Sequence, residues 1–442
     1  MASQAVTNAW LQDARSHADE NELDEPNYFA SDPESLISTS ITSNFSIGTG
    51  ERILTEAFSK CVSTNHELII VTCFWAKSSS QEAISSLLLG LSEKALSQNH
   101  KIQVRICFSS SSILQRLTQT SSLDGKIWPP SSWTSLGLPP QGQLEGLEMI
   151  IKSVFVLPFS VMHPKFILMD RKLAFMPSCN VSWENWFEGS IELEGGITEK
   201  LFNFWSSFWS RGGASLPYLP KDIQESTTSD ENDDEEKEIQ TILLPSPHHI
   251  NPRFQPFTKS TPPPTPLNLF VLQLFTQAKR DIYIQTPNLT SQPVINALFS
   301  ALERGVDIHL ITSSGLMILE QLATAGTITE YEIWKLGRRY RALLRNYSKC
   351  SDPENMMEQP GVLRIGYYHA RQGRRDEKEP VKSHLKCVIM DEEVTVLGSG
   401  NMDRASWYTS QELGIALFSR EFAGYVRGVV GEGLKERVRY VC

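Results

Sequence analysis

HLKCVIMDEEVTVLGSGN, running from His384 to Asn401, repeats a pattern that the chain has already used once as HPKFILMDRKLAFMPSCN, from His163 to Asn180. In both stretches Lys follows His by two positions, Asp by seven and Asn by seventeen, and a Ser stands eight beyond the Asp. A single H-x-K-x4-D match arises by chance in roughly one chain in a few tens at ordinary residue frequencies. Two copies with the same downstream Ser and Asn are far beyond chance.

The repeat extends outward from these motifs. Residues 51–63 have helical apolar spacing, 67–75 read as a strand, 80–96 as a second helix and 101–110 as a second strand. The same order returns at 267–279, 281–289, 291–305 and 306–314. The chain is therefore an internal duplication in which each half ends in one histidine motif. Alternating helix and strand predicts α/β layers with a largely parallel sheet in each half.

Within a strand, alternate residues share a face. His163 and Lys165 are thus expected on one side, as are His384 and Lys386, while Asp170 and Asp391 have the opposite parity. Those two aspartates are among the candidate catalytic residues, with the expected task of holding backbone. A second strand brings up Ser178 with Asn180 and Ser399 with Asn401, the serines as candidate substrate-binding groups. Gly398 and Gly400 permit close backbone approach in the second copy, where the first has Pro177 and Cys179.

Two histidines, two lysines and two asparagines suit a phosphate diester. Lysine and asparagine can hold the phosphoryl oxygens as charge builds. One histidine can attack phosphorus while the other protonates the leaving oxygen and then activates water or an alcohol. No metal or other cofactor is required. A nucleophilic histidine also needs a carboxylate on its far ring nitrogen. Glu412 in SQEL is the candidate for His384, and Glu192 in SIEL, with Glu188 and Glu194 close by, the candidate for His163.

Composition bounds the partners. The chain has 442 residues, 40% hydrophobic and 21% charged, which suits two soluble domains. Its net charge is -10, of which Ser226–Glu238 supplies -6, so no overall basic excess favours a generic nucleic-acid binder. No apolar run reaches the ~18 residues of a spanning helix and no secretory signal is visible, which predicts an intracellular protein, cytoplasmic or peripheral on a membrane. Seven cysteines without C-x-x-C spacing predict free buried thiols, Cys73, Cys107 and Cys387 among them. Residues 1–45 are polar and acidic and predict disorder apart from local helix. The acidic and Pro-rich stretch 221–263 predicts a solvated linker, with His248 and His249 as inert residues in it.

H-x-K-x4-D followed by G-S-x-N, twice in one chain, resembles the phospholipase D superfamily, and GSGNMDRASWYTSQELGIAL looks like its cardiolipin synthase branch. The order Asp403-Arg404-Ala405-Ser406 departs slightly from that branch. The resemblance implies two pseudo-symmetric α/β/α sandwich domains, 46–220 and 264–442, with mainly parallel or mixed sheets and the active site at their interface. It also implies a phosphohistidine mechanism with His163 as nucleophile and His384 as acid and base. The expected function is a phosphodiesterase or phosphatidyltransferase acting on phospholipids, in which a monomer already holds a complete site. A nuclease of the same superfamily and an inactive lipid-binding or scaffold protein are the alternatives. Two further stretches bear on substrate. LFNFWSSFWS, from Leu201, reads as a core-facing helix or an interfacial lipid anchor, and KLGRRYRALLRNYSK, from Lys335, as a solvated basic helix or a phosphate-facing surface.

Overall fold

The computed structural model describes residues 2–112, 115, 122–156, 160–217, 238–247, 261–349, 358–371 and 379–442. It divides into two compact units, 36–243, and 244–442 together with 1–35. His248, His249 and all of the acidic run except Glu238 lie outside the described residues.

Helix α1 (Ala2–Ser16) lies in the stretch 1–45, where disorder apart from local helix was expected. Val6, Trp10 and Ala14 recur every four residues and are buried. Trp10 packs edge-on against Phe270 at 6.0 Å and its Nε1 donates to the Pro266 carbonyl at 3.0 Å. An isolated helix of this polarity is marginal in water, so it is the tertiary partner that stabilises it.

Unit 36–243 contains β1 (Ile37–Gly48), α2 (Gly50–Cys61), β2 (Glu67–Phe74), α3 (Ser79–Ser97), β3 (Ile102–Ser110), β4 (Lys126–Trp128), β5 (Leu147–Ser153), β6 (Phe166–Met169), β7 (Leu173–Pro177), β8 (Trp186–Glu194) and α4 (Gly196–Phe208). Strands β2, β3 and β5 pair in parallel; β6, β7, β8 and β1 continue from β2 as antiparallel neighbours, and β4 runs antiparallel on the far side of β5. The polar stretch 37–48 is held because it pairs with β8 from Ile41↔Glu194 to Gly48↔Glu188. Its first residues also pair with β9 (Ile239–Ser246), which occupies part of the expected linker. Leu201, Phe204, Trp205, Phe208 and Trp209 of the α4 region are buried, so LFNFWSSFWS is a core helix.

The second unit repeats this plan with α5 (Pro266–Gln277), β10 (Asp281–Gln285), α6 (Gln292–Glu303), β11 (Asp307–Ser313), α7 (Ile318–Ala325), α8 (Thr329–Lys349), β12 (Leu363–Tyr368), β13 (Cys387–Met390), β14 (Val394–Gly398), α9 (Arg404–Tyr408), β15 (Glu412–Phe418), α10 (Arg420–Leu434) and β16 (Val438–Tyr440). Strands β10, β11 and β12 are parallel, β13, β14 and β15 follow antiparallel, and β16 closes the far side of β12. Both sheets are thus mixed, with the same strand order. Cys107 and Cys387 are buried in β3 and β13, and burial pushes their thiols up to about 11 and about 12. Among the described residues no helix is long and apolar enough to cross a membrane.

Candidate active site

His163 and Lys165 precede β6, and His384 and Lys386 precede β13, so strand alternation does not place them. Instead each lysine folds back on its own motif. Lys165 Nζ donates to the His163 carbonyl at 2.9 Å, and Lys386 Nζ to the His384 carbonyl at 2.7 Å. Lys165, Lys386 and His384 are buried, whereas His163 is partly exposed.

Each motif is tied to the carboxyl ends of the parallel strands, where ligands bind in open α/β sheets. Ser109, at the end of β3, accepts from the Met162 N–H at 3.0 Å, one residue before His163. Ser313, at the end of β11, does the same for the N–H of Ser383 at 2.9 Å, and Gln285 donates to the Ser383 hydroxyl at 2.7 Å. A second matched pair holds the residue after each asparagine. Thr72 Oγ1 accepts from Val181 N at 3.3 Å, and Thr286 Oγ1 from Met402 N at 3.0 Å. The sequence reading missed these four hydroxyls. Their signal was available, since each lies at the same offset in the two copies of its strand.

The conserved spacing of the aspartates has a structural cause. Asp170 and Arg171 have φ of 48° and 55°, and Asp391 and Glu392 have φ of 52° and 53°. Two successive left-handed residues make the tight hairpin turn that suits twisted strands, and Asp tolerates that region better than most residues. The Asp170 carboxylate accepts from the backbone N–H groups of Asn65, His66 and Glu67, each at 2.8 Å. The Asp391 carboxylate accepts from Lys279, Arg280 and Asp281 at 3.0, 2.8 and 3.0 Å. Both carboxylates hold backbone. Beside Asp170, Arg171 makes a bidentate ion pair with buried Glu67 and stacks 3.6 Å over the Phe202 ring.

Ser178 and Ser399 each donate to a glutamate, Glu188 in the first half and Glu412 in the second. The backbone surrounds match as well. Gly189 N donates to Ser178 Oγ at 3.0 Å, and Leu413 N to Ser399 Oγ at 3.0 Å. Both serines are therefore held by protein groups. Strand register settles the glutamates: Pro177 faces Ser190 and Gly398 faces Gly414, so Glu188 occupies the place of Glu412. Glu192 stands opposite Phe175, four residues further along the strand, and both its oxygens bind Lys60. At ~3.3 Å per residue that is about 13 Å from Glu188. Comparing SIEL with SQEL misled because Asn401 is eleven residues before its glutamate and Asn180 only eight before its own. The difference is the turn carrying α9.

Gly398 has φ of 157°, and a Cβ there would lie 2.4 Å from the Leu413 carbonyl, which explains the glycine. Asn180 Oδ1 and Asn401 Oδ1 are both buried and lack a hydrogen-bond partner among the described residues. Asn401 Nδ2 donates to Asp403 at 3.1 Å, and burial pushes the Asp403 carboxyl up, opposed by the N–H of Ser406 and reinforced by Glu412. A cavity of about 30 Å³ reaches this half-site, with Lys386, Asn401 and Gln285 among its walls. Among the described residues no cluster of His, Cys, Asp or Glu is arranged to hold a metal ion.

Residues 271–430, which carry the second His, Lys and Asn set, match the family model described as "Cardiolipin synthase, PLD-like domain". The likeness to the phospholipase D superfamily read from the two motifs is thereby borne out. The fold is similar to that of phosphatidylserine synthase from Haemophilus influenzae Rd KW20, with a TM-score of 0.57 at 12% identity over 96% of this chain and 92% of that one. An uncharacterized protein of Helicobacter pylori (strain J99 / ATCC 700824) is 20% identical over 371 residues, 74% of this chain and 68% of its own length. NucT from Helicobacter pylori aligns at 12% identity over 38% of this chain and 87% of its own, with a TM-score of 0.25.

Proposed function

We propose that the chain is a phosphodiesterase or phosphatidyltransferase that acts on phospholipids through a phosphohistidine. The observation that carries this reading is the matched constellation. Each half holds a His, a Lys bound to that histidine's carbonyl, an Asn, and a Ser–Glu pair in register behind it. The cardiolipin synthase-type match of residues 271–430 and the fold shared with a phosphatidylserine synthase support the lipid class.

In the proposed sequence a ring nitrogen of His163 attacks phosphorus as the P–O bond to the leaving group breaks, and His384 gives that oxygen a proton. His384 then takes a proton from water or an alcohol, whose oxygen displaces His163 from phosphorus. The lysines offset the charge that builds on the phosphoryl oxygens. Glu188 and Glu412 serve as the carboxylates that orient the two histidines. Glu188→Gln is therefore expected to lower kcat about 100-fold, whereas Glu192→Gln should leave kcat within about twofold, because Glu192 is engaged by Lys60. Steady-state kinetics of the two variants check this, and the opposite ranking would restore Glu192.

The test of the function is to incubate pure protein with mixed phospholipids and glycerol, and separately with single-stranded DNA, in the presence of a chelator. Lipid turnover that survives the chelator is expected. Nucleotide release without lipid turnover would make the protein a nuclease, and no turnover of either would make it a scaffold. Loss in chelator that one metal restores would overturn the metal-free mechanism.

A further inference from the structure

Helix α7 is built inside out. Its buried residues, Gln321 and Thr324, are polar, while Ile318, Leu319 and Leu322 point to solvent and Leu319 is 83% exposed. A soluble helix hides the apolar face, so contiguous exposed leucine and isoleucine mark a surface with a partner. Gln321 is buried for a reason: its Oε1 accepts from the N–H and hydroxyl of Thr329 at 2.8 Å each, fixing the start of α8. Thr329 Oγ1 in turn accepts from Leu289 N at 3.0 Å, and Leu289 bridges to Met402, the neighbour of Asn401. The apolar face is thus pinned to the half-site of its own unit.

Helix α8 continues the surface in a graded order. Tyr331, Trp334, Arg338, Arg341 and Arg345 are all exposed and fall within one narrow stripe at 3.6 residues per turn. Tyr331 and Trp334 stack at 5.7 Å, and the Arg338 guanidinium lies 4.8 Å over the Trp334 ring. Of the two acids at the start of the helix, Glu332 is buried and engaged by Lys335, and Glu330 accepts from the Gly315 N–H. Glu320 is the acid on α7.

We propose that α7 and the exposed stripe of α8 dock the protein on an anionic lipid surface, with α7 entering the acyl boundary, the aromatic pair at headgroup level and the arginines on lipid phosphates. This rests on the reading that the site handles phospholipid, and it names where the membrane is met. Aliphatic, aromatic and cationic groups in that order match the layers of a bilayer. Nucleic acid would use the arginines and the rings but has no use for exposed Ile318, Leu319 and Leu322.

The test uses the full chain with vesicles of phosphatidylcholine and phosphatidylglycerol, some carrying brominated acyl chains. The wild type should sediment with vesicles and show tryptophan quenching that Trp334→Phe removes. Leu319→Glu should weaken vesicle binding by roughly tenfold or more. Turnover on vesicles should fall in step, while turnover of a monomeric short-chain phospholipid stays unchanged. Unaltered vesicle binding in Leu319→Glu, or single-stranded DNA binding with no vesicle binding, would overturn the proposal. If the wild type turns over no short-chain phospholipid, the catalytic reading fails, and sedimentation and quenching still decide the docking surface because neither needs turnover.

Discussion

His163→Ala protein is expected to lose turnover by on the order of 10⁴-fold or more and to form no covalent phosphoryl adduct, because the bond to phosphorus then has no nucleophile. The matched halves make the two histidines look equivalent, so their roles separate only through chemistry. A good leaving group departs without a proton, whereas water still needs a base. His384→Ala should accordingly attack an activated phosphodiester and then stall. Brief reaction, alkaline quench and mass mapping should find the adduct on His163 in that variant. An adduct on His384 in the His163→Ala protein would reverse the assignment. Adducts on neither, with wild-type turnover intact, would remove the covalent mechanism.

The second large effect belongs to Asp170, whose carboxylate holds backbone. Asp170→Ala removes the acceptor of three backbone N–H groups, one of them on buried Glu67, and leaves alanine in a left-handed turn. Unmade hydrogen bonds of this kind cost about 1–3 kcal/mol where water cannot replace them. With partial hydration at Asn65, a loss of about 3–5 kcal/mol follows, or roughly 10 °C in the unfolding midpoint of a unit of this size. Asp170→Asn keeps one acceptor and tolerates the turn, and should lose about half as much. Below the transition, kcat of Asp170→Ala should stay within a few-fold of wild type. A 100-fold loss of kcat with an unchanged midpoint would instead make Asp170 a catalytic residue.

The motif spacing was legible because duplication prints the same constraint twice. His, Lys, Ser and Asn recur at equal intervals, and the structure gives the lysines and the serines equivalent partners. Asp170 and Asp391 were assigned to backbone by parity alone, although parity fails for His163 and Lys165, which stand outside the strands. Glu192 was matched to Glu412 although the register gives that place to Glu188, because a turn of different length separates glutamate from asparagine in the two halves. Only the pairing of Ser190 with Pro177 and of Gly414 with Gly398 restores the equivalence.

The sequence by itself determined the repeated helix and strand order and the paired motifs, since both rest on spacing within a few residues, whereas the choice of core over lipid anchor for LFNFWSSFWS came from its burial. Apolar periodicity and fixed intervals are properties of the chain and survive without knowing what it packs against. Only the tertiary structure decided the helix at 2–16, the strands at 37–48 and 239–246, the place of Glu188 and the inverted face of α7. All but the last depend on groups far apart in sequence, and the face of α7 depends on a buried contact eight residues away. Trp10 is buried because Phe270 is there, polar 37–48 is a strand because Glu188–Glu194 offers a hydrogen-bonded edge, and Gln321 turns inward because Thr329 waits for its oxygen. Local composition makes such segments look like solvated chain, and the free energy that orders them comes from partners hundreds of residues away or from a buried polar contact that spacing does not reveal.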